Sequence, residues 1–142
     1  MGYNVAVDGP AGAGKSTIAK LVAKEKGYVE TIYKRKRFLP DINSHNAIVR
    51  GYAERNAINA PIQGSAADII KVAMVRIFNR FETEGLKSKM ILQVHDELNF
   101  SVLPEEQEKV KQIVIEEMES AYKMKAPLLA DSGWGQNWLE AH

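Results

Sequence analysis

Cysteine is absent from the 142 residues of the sequence. This absence excludes disulfides and thiolate metal sites, and it suits a reducing compartment, so we expect a cytoplasmic protein. No apolar run approaches the roughly 20 residues that a membrane-crossing helix needs, and we therefore expect no membrane partner. The opening residues are also untypical of a signal peptide, because a glycine-rich loop interrupts their short apolar run.

A large excess of charge is missing as well, since 19 basic residues face 18 acidic ones and the net charge is +1. Binding to nucleic acid would therefore depend on local patches rather than on a global field. The densest patch consists of four consecutive cations, Lys34, Arg35, Lys36 and Arg37. Beta-branched and aromatic residues flank this patch between Val29 and Leu39, which predicts a hairpin with a charged tip.

The length and the apolar pattern predict one compact domain of mixed α and β elements. With 45% hydrophobic residues the chain can bury a real core. The predicted helices are Lys15–Lys26 ended by Gly27, Ser44–Ile58 ended before Pro61, a helix opened by Ser65 and ended by Gly85, and a helix opened by Pro104. The predicted strands are residues 3–7, a hairpin over Met90–Val102, and a last strand within Pro127–Leu139.

A phosphate-binding loop is indicated between the first predicted strand and the first helix, where Gly9 to Ser16 fit the pattern G-x-x-x-x-G-K-[ST]. Glycines let successive backbone N–H groups close around phosphate oxygens, and the helix N-terminus behind them favours an anion. Lys15 would reach the outer phosphates of ATP or another nucleoside triphosphate, and Ser16 would hold Mg²⁺. The nucleotide-binding candidates are Gly9, Gly12, Ala13, Gly14, Lys15, Ser16 and Thr17. The alternative is a glycine-rich turn that only caps the helix.

The residues from Val5 to Lys20 resemble the start of bacterial cytidylate kinase, a family that transfers the γ-phosphate of ATP to CMP or dCMP. The likeness ends near Gly27, and the acceptor site and arginine-bearing lid of that family do not follow it. Phosphoryl transfer depends mostly on positioning and on charge stabilisation. The resemblance therefore implies a loop that binds phosphate but transfers it poorly.

Several short motifs follow one another in the rest of the chain: Gly27–Thr31, Pro40–Asn43, Ala53–Arg55, Asn59–Asp68 and Gln93–Glu97. In this order and spacing they resemble the C-terminal palm segment of bacterial family A DNA polymerases, from about Lys24 to His142. The resemblance implies an α+β fold in which a palm-like antiparallel sheet is backed by helices, with the strand–P-loop–helix in front. It also implies primer–template DNA and a nucleotide as partners, and Mg²⁺ as a cofactor.

Three polar side chains of the palm segment, Arg55, Asn59 and Gln63, are spaced four residues apart and share a face if one helix carries them. Matching residues of the family contact primer and template through the minor groove, whose polar groups vary little between base pairs. The resemblance implies the same role here. Independently of it, the charge of the basic patch predicts phosphate contacts. Without the resemblance the three side chains would be interpreted as a solvated polar face.

The sequence His95-Asp96-Glu97 matches the third catalytic motif of the same family. Two-metal nucleotidyl transfer needs carboxylates fixed at the end of a rigid strand. The resemblance implies that Asp96 is a metal ligand, that Glu97 is its catalytic neighbour, and that His95 lies near the primer terminus. The family's first catalytic aspartate lies upstream of this segment, so we expect an incomplete active site. By spacing alone, the motif also fits an acidic hairpin tip.

The two resemblances divide the chain into a P-loop segment, residues 1–27, and a polymerase palm fragment, residues 28–142. Three functions stay open: a polymerase fragment with little activity alone, a cytidylate-kinase-like phosphotransferase, and an inactive structural chimera. Because the P-loop strand has no second βαβ unit to pair with, it could dock beside Met90–Val94. Asp8 would then approach Asp96 and form an acidic metal site. The alternative is that Asp8 only closes its own loop.

Overall fold

The computed structural model describes residues 15–141, with side chains described from Thr17 onward. The predicted strand over residues 3–7, its docking, the approach of Asp8 to Asp96 and most of the glycine loop lie outside the described residues. The described chain falls into two compact units, residues 15–68 and residues 69–141.

The first unit contains a helix followed by a small hairpin. Helix α1, Lys15–Lys26, ends at Gly27, whose φ of 74° lies in the left-handed region that glycine adopts most easily. Strand β1, Tyr28–Glu30, pairs antiparallel with β2, Lys36–Phe38. The predicted helix and the predicted hairpin with a charged tip are therefore both confirmed.

Alanines and branched aliphatic side chains together form the core of the first unit. Its buried residues are Ala23, Val29, Leu39, Ile42, Ala53 and Ala57. The last two belong to helix α2, Ala47–Thr83, whose short side chains let the hairpin lie close. At Gly64 of the same helix a Cβ atom would come within 2.7 Å of Thr31 Cγ2, so this position has no room for a side chain.

Pro61 lies inside α2, and the predicted break at this residue is wrong. The sequence predicts one helix that ends before Pro61 and another that Ser65 opens, whereas α2 is continuous. Ser65 does not cap a helix, because its hydroxyl donates to the Pro61 carbonyl and accepts from the backbone N–H of Ile32 at 2.8 Å. Proline removes only one helical N–H, and the packing of the alanine face outweighs this local loss.

The second unit contains the other hairpin and the end of α2. Strand β3, Lys89–Val94, pairs antiparallel with β4, Glu97–Ser101, and a 3₁₀ turn then leads to helix α3, Gln107–Glu119. The hairpin and the helix after Pro104 are thus confirmed. The buried apolar residues of this unit are Ile69, Ile70, Ala73, Ile77, Phe81, Leu98, Phe100, Val110, Ile113, Val114, Met118, Ala121 and Ala141. The rings of Phe81 and Phe100 lie 5.9 Å apart between centroids.

Two charged side chains tie segments of the second unit together. The Glu106 carboxylate accepts hydrogen bonds from the backbone N–H groups of Lys87 and Ser88, at 2.9 and 2.8 Å. These bonds, the one from Lys87 above all, lower the pKa of Glu106. Arg80 donates to Glu116 at 2.7 Å, and this bond raises the pKa of the guanidinium. The Glu106 contact links the 3₁₀ turn to the loop that follows α2, and the Arg80 contact links α3 to the end of α2.

The C-terminal tail is irregular and ends in a turn at residues 138–141, so the predicted last strand within Pro127–Leu139 is wrong for the described residues. Local side chains satisfy the backbone there: the N–H of Glu140 donates to Asn137 Oδ1 at 3.1 Å, and the N–H of Gln136 donates to Glu140 Oε2 at 2.9 Å. Side chains that accept from nearby backbone N–H groups in this way offer those groups an alternative to the hydrogen bonds between strands. Gly133 also lies so close to Ala141 that an added Cβ would meet its carbonyl oxygen.

Both hairpins are antiparallel and are accompanied by helices, so the predicted α+β class is confirmed. Within residues 15–141 the strands form two separate two-stranded sheets rather than a single palm-like one, because each strand pairs only with its neighbour along the chain.

Candidate functional site

The polar stripe on α2 consists of Arg55, Asn59 and Gln63, and all three residues are exposed. Because α2 continues through Pro61, the four-residue spacing places them on one side of a single helix, as expected. The Arg55 guanidinium lies 5.7 Å from the centroid of the exposed Tyr52 ring, a cation–π distance. The stripe is therefore a regular row of hydrogen-bonding groups that faces solvent.

Arg35 is engaged inside the first unit. Its Nε and Nη2 atoms lie 2.9 and 2.8 Å from Asp68 Oδ1, and Nη2 also donates to the Gly64 carbonyl at 3.4 Å. The hydroxyl of Thr31 donates to the other carboxylate oxygen of Asp68. Of the four cations in the basic patch, Arg35 thus fastens the hairpin to α2. Local sequence patterns do not predict this contact, because Asp68 is 33 residues away.

The remaining cations of the basic patch are more accessible. Lys36 Nζ lies 4.4 Å above the Tyr28 ring, and Lys34 Nζ is 4.0 Å from a carboxylate oxygen of Glu30. Arg37 is exposed and makes no ion pair with any other residue in the described part of the chain. These three side chains can reach an anion without breaking a buried contact.

The second hairpin turns at His95 and Asp96, because Val94 pairs directly with Glu97. The φ of His95 is 54°, in the left-handed region that two-residue hairpin turns commonly require. The His95 side chain is exposed, and its carbonyl accepts a hydrogen bond from Gln93 Nε2 at 3.0 Å. Asp96 is half-buried in the turn. The turn therefore places His95 and Asp96 one after the other at the end of the hairpin.

Glu97 is buried, with 6% of its surface exposed, although an acidic hairpin tip would normally face water. Its Oε1 accepts hydrogen bonds from the indole Nε1 of Trp138 at 2.7 Å and from Asn99 Nδ2 at 3.2 Å. No local sequence pattern predicts this contact of Trp138, which lies 41 residues after Glu97. The signal that could have found it is the indole N–H, a donor that needs an acceptor wherever the ring packs.

The described part of the chain does not bring together a full set of metal ligands. No group of three or more histidine, aspartate or glutamate side chains lies close enough there to hold an ion. Asp96 and Glu97 therefore do not fit a magnesium site by themselves, and the Ser16 side chain is not described. Among residues 15–141, no helix is both long and apolar enough to cross a membrane.

Comparison with known proteins places this chain among nucleic-acid polymerases. The sequence profile of DNA polymerase family A matches residues 16–140. The chain therefore belongs to DNA polymerase family A, and the resemblance of the palm segment is confirmed. The match begins at residue 16, and nothing in these comparisons supports the resemblance of the first residues to cytidylate kinase.

Individual relatives agree with this assignment. DNA polymerase I of Streptococcus pneumoniae serotype 4 is 51% identical over 119 residues, which are 84% of this chain and 14% of that protein. DNA polymerase I of Caldicellulosiruptor bescii is 51% identical over 118 residues, 83% of this chain and 14% of that protein. The solved structure of the POL domain of Pol1 from M. smegmatis, in complex with DNA primer-template and dNTP, superposes with a TM-score of 0.87 at 46% identity. The superposition covers 89% of this chain and 22% of the chain in that solved structure. This chain thus spans about one seventh of the curated relatives.

Proposed function

We propose that residues 28–142 are a palm fragment of a DNA-directed DNA polymerase, which binds primer–template DNA weakly and has little nucleotidyl-transfer activity by itself. The observation that carries this proposal is the exposed polar stripe of Arg55, Asn59 and Gln63 on one continuous helix. A solved relative was captured with DNA primer-template and dNTP, which supports the same class of ligand for this chain.

The stripe suits a duplex better than a single strand. Minor-groove acceptors recur at each base pair with little dependence on sequence, so a regular row of amide and guanidinium groups can bind them without selecting bases. Lys34, Lys36 and Arg37 would add contacts to phosphates, which position the duplex and make binding sensitive to salt. With a net charge of +1 the chain has no strong general attraction for DNA, so we expect weak binding.

A binding experiment tests this role. Fluorescence anisotropy would compare a primer–template duplex with a single strand of the same length, for the unaltered chain and for Arg55→Ala. We expect Arg55→Ala to weaken duplex binding more than single-strand binding, since the groove exists only in the duplex. Lys71→Ala removes an exposed cation elsewhere on α2 and serves as the matched control. Equal losses on both DNA forms would contradict a groove contact.

Catalysis by the chain alone should be at most a trace. Asp96 would contribute one carboxylate to a two-metal site, with His95 near the primer terminus. The buried Glu97 carboxylate, however, is occupied by Trp138 and Asn99, and a further carboxylate is needed to bridge the ions. In the described residues no such cluster is present. Primer extension with Mg²⁺ and deoxynucleotides measures this directly. Robust extension that Asp96→Ala abolishes would overturn the proposal of an incomplete site.

Nucleotide binding by Gly9 to Ser16 stays a prediction that rests on the sequence motif. Calorimetry with millimolar ATP and Mg²⁺ should show weak binding that Lys15→Ala reduces, while transfer to CMP should be undetectable because the acceptor site is missing. A chain that gives no heat with ATP would remove the phosphate-site hypothesis. A cytoplasmic location likewise stays a prediction, and fractionation of cells expressing the chain would test it.

A further inference from the structure

We infer that Trp138 is a positioning residue that holds the Glu97 carboxylate in place next to Asp96. The inference rests on the proposed function in one respect, namely that the hairpin of β3 and β4 is the catalytic one. It assigns a task to the C-terminal tail, which is irregular and contains no strand in the described residues.

The contact between Trp138 and Glu97 has the geometry of a strong hydrogen bond. The distance from Nε1 to Oε1 is 2.7 Å, at the short end of the range for an N–H donor to a carboxylate. The indole has this one donor and no acceptor, so the direction of the bond is fixed. Trp138 is 52% exposed, whereas the Glu97 carboxylate that accepts its N–H is buried.

Asn99 supports the same assignment from the neighbouring position on the strand. Its side-chain amide donates to Glu97 Oε1 at 3.2 Å, so two donors converge on one carboxylate oxygen. The Oδ1 atom of Asn99 is then left buried without a hydrogen-bond partner among the described residues. Turning the amide round would bring that oxygen against the carboxylate. The unsatisfied acceptor is therefore the consequence of placing donors around Glu97.

The effect of this arrangement reaches the turn. Glu97 is the first residue of β4 and pairs with Val94 across the two-residue turn that contains Asp96. Burying a carboxylate is unfavourable unless donors surround it, so losing the Trp138 donor would make the burial of Glu97 less favourable and disturb this pair. Holding Glu97 in place therefore also restrains the backbone of the adjacent residue, the half-buried Asp96.

Nuclear magnetic resonance of the full, ¹⁵N-labelled chain tests the contact without relying on activity. The indole N–H signal of Trp138 should shift upfield in Glu97→Gln, because the acceptor loses its charge. Trp134, the other tryptophan of the sequence, is an internal control whose indole signal should stay in place. A Trp138 signal that does not move in Glu97→Gln would overturn the inference, since mere packing of the ring does not depend on that charge.

A second pair of variants keeps the inference testable if Glu97→Gln fails to fold. Trp138→Phe retains a ring but removes the donor, and it should speed amide hydrogen exchange at Asp96 and Glu97 about tenfold or more. The matched control Trp134→Phe should leave these two amides unchanged, and equal acceleration by both variants would contradict the inference. Duplex binding should survive Trp138→Phe. A chain that never binds duplex would contradict the proposed function while leaving the Trp138 result standing.

Discussion

The two hairpins share a topology and differ in what they do with their charged tips. In the first, all three residues of β2 are exposed, and the cations of the tip reach solvent. In the second, four successive residues of β4 are buried, and one of them is Glu97. A tip that has to meet a polyanion gains from exposure, whereas a tip that holds a carboxylate at a fixed place needs protection from water.

The two hairpins are also fastened differently. Polar side chains of α2 hold the first hairpin, through Ser65 to Ile32 and through Asp68 to Arg35. An aromatic contact and a buried apolar core hold the second. Both units bury an apolar core and contain ion pairs, so the difference lies in how each hairpin is held.

The largest expected effect comes from truncating an aromatic ring on each hairpin. Phe100→Ala should lower the free energy of unfolding by about 3–5 kcal/mol, because Phe100 is 1% exposed and packs on Phe81. Phe38→Ala is the matched control: Phe38 is 70% exposed, so we expect a loss below about 1 kcal/mol. Chemical denaturation monitored by circular dichroism measures both values. Similar losses would show that the hairpins do not differ in the way proposed.

A pair of glycine substitutions tests the close approach in the first unit. Gly64→Ala should destabilise by about 1–3 kcal/mol, because its Cβ would lie 2.7 Å from the Cγ2 of Thr31, whose hydroxyl is bound to Asp68. Gly51→Ala lies on the same helix, and its nearest neighbour is 3.9 Å away. This control should gain about 0.5–1 kcal/mol from helix propensity. Urea denaturation of the two variants measures both changes in the free energy of unfolding. A Gly64→Ala variant that is more stable than the unaltered chain would contradict the close approach of Thr31 to this position.

An experiment can divide the basic patch into the cations that we propose to bind DNA and Arg35, which binds Asp68 within the chain. Arg37→Ala and Lys36→Ala should each reduce the slope of log K against log salt by about 1 in duplex binding. Arg35→Ala should change the slope less and lower the melting temperature instead, because it leaves Asp68 without its guanidinium. Salt titrations followed by anisotropy, with a thermal melt of each variant, measure both effects. If Arg35→Ala reduced the slope of log K against log salt by a full unit, Arg35 would not differ from the other cations of the patch in the proposed way.

The smallest expected effect concerns pH and the second unit. The backbone N–H of Lys87, together with the hydroxyl and N–H of Ser88, lowers the pKa of Glu106 in the folded chain. A carboxylate whose pKa is lowered on folding stabilises the folded chain fully at a pH above its unfolded-state pKa, which is near 4.3 for glutamate. This stabilisation is lost as the pH falls from there through the lower pKa of the folded chain. The melting temperature of the unaltered chain should therefore exceed that of Glu106→Gln at neutral pH.

The difference in melting temperature should narrow as the pH falls below about 4.3. Glu105→Gln changes the adjacent exposed residue, and its melting temperature should follow that of the unaltered chain at each pH. A gap between the unaltered chain and Glu106→Gln that stays constant down to acid pH would show that the carboxylate does not act through these donors.

The sequence by itself determined the local elements and the identity of the motifs. Gly27 ends α1 because glycine adopts a positive φ, and apolar alternation defines the second hairpin. The four-residue spacing of Arg55, Asn59 and Gln63 likewise needs only a helix to become a stripe. These features depend on neighbours along the chain, and local patterns therefore predict them.

Only the tertiary structure decided the features that join distant residues. Pro61 and Ser65 read locally as a break and a cap, but α2 continues because its alanine face packs against the hairpin. Glu97 reads locally as an exposed acid, but Trp138, 41 positions later, donates to it and keeps it buried. Contacts of this kind depend on which surfaces meet in space, and local periodicity carries no information about that.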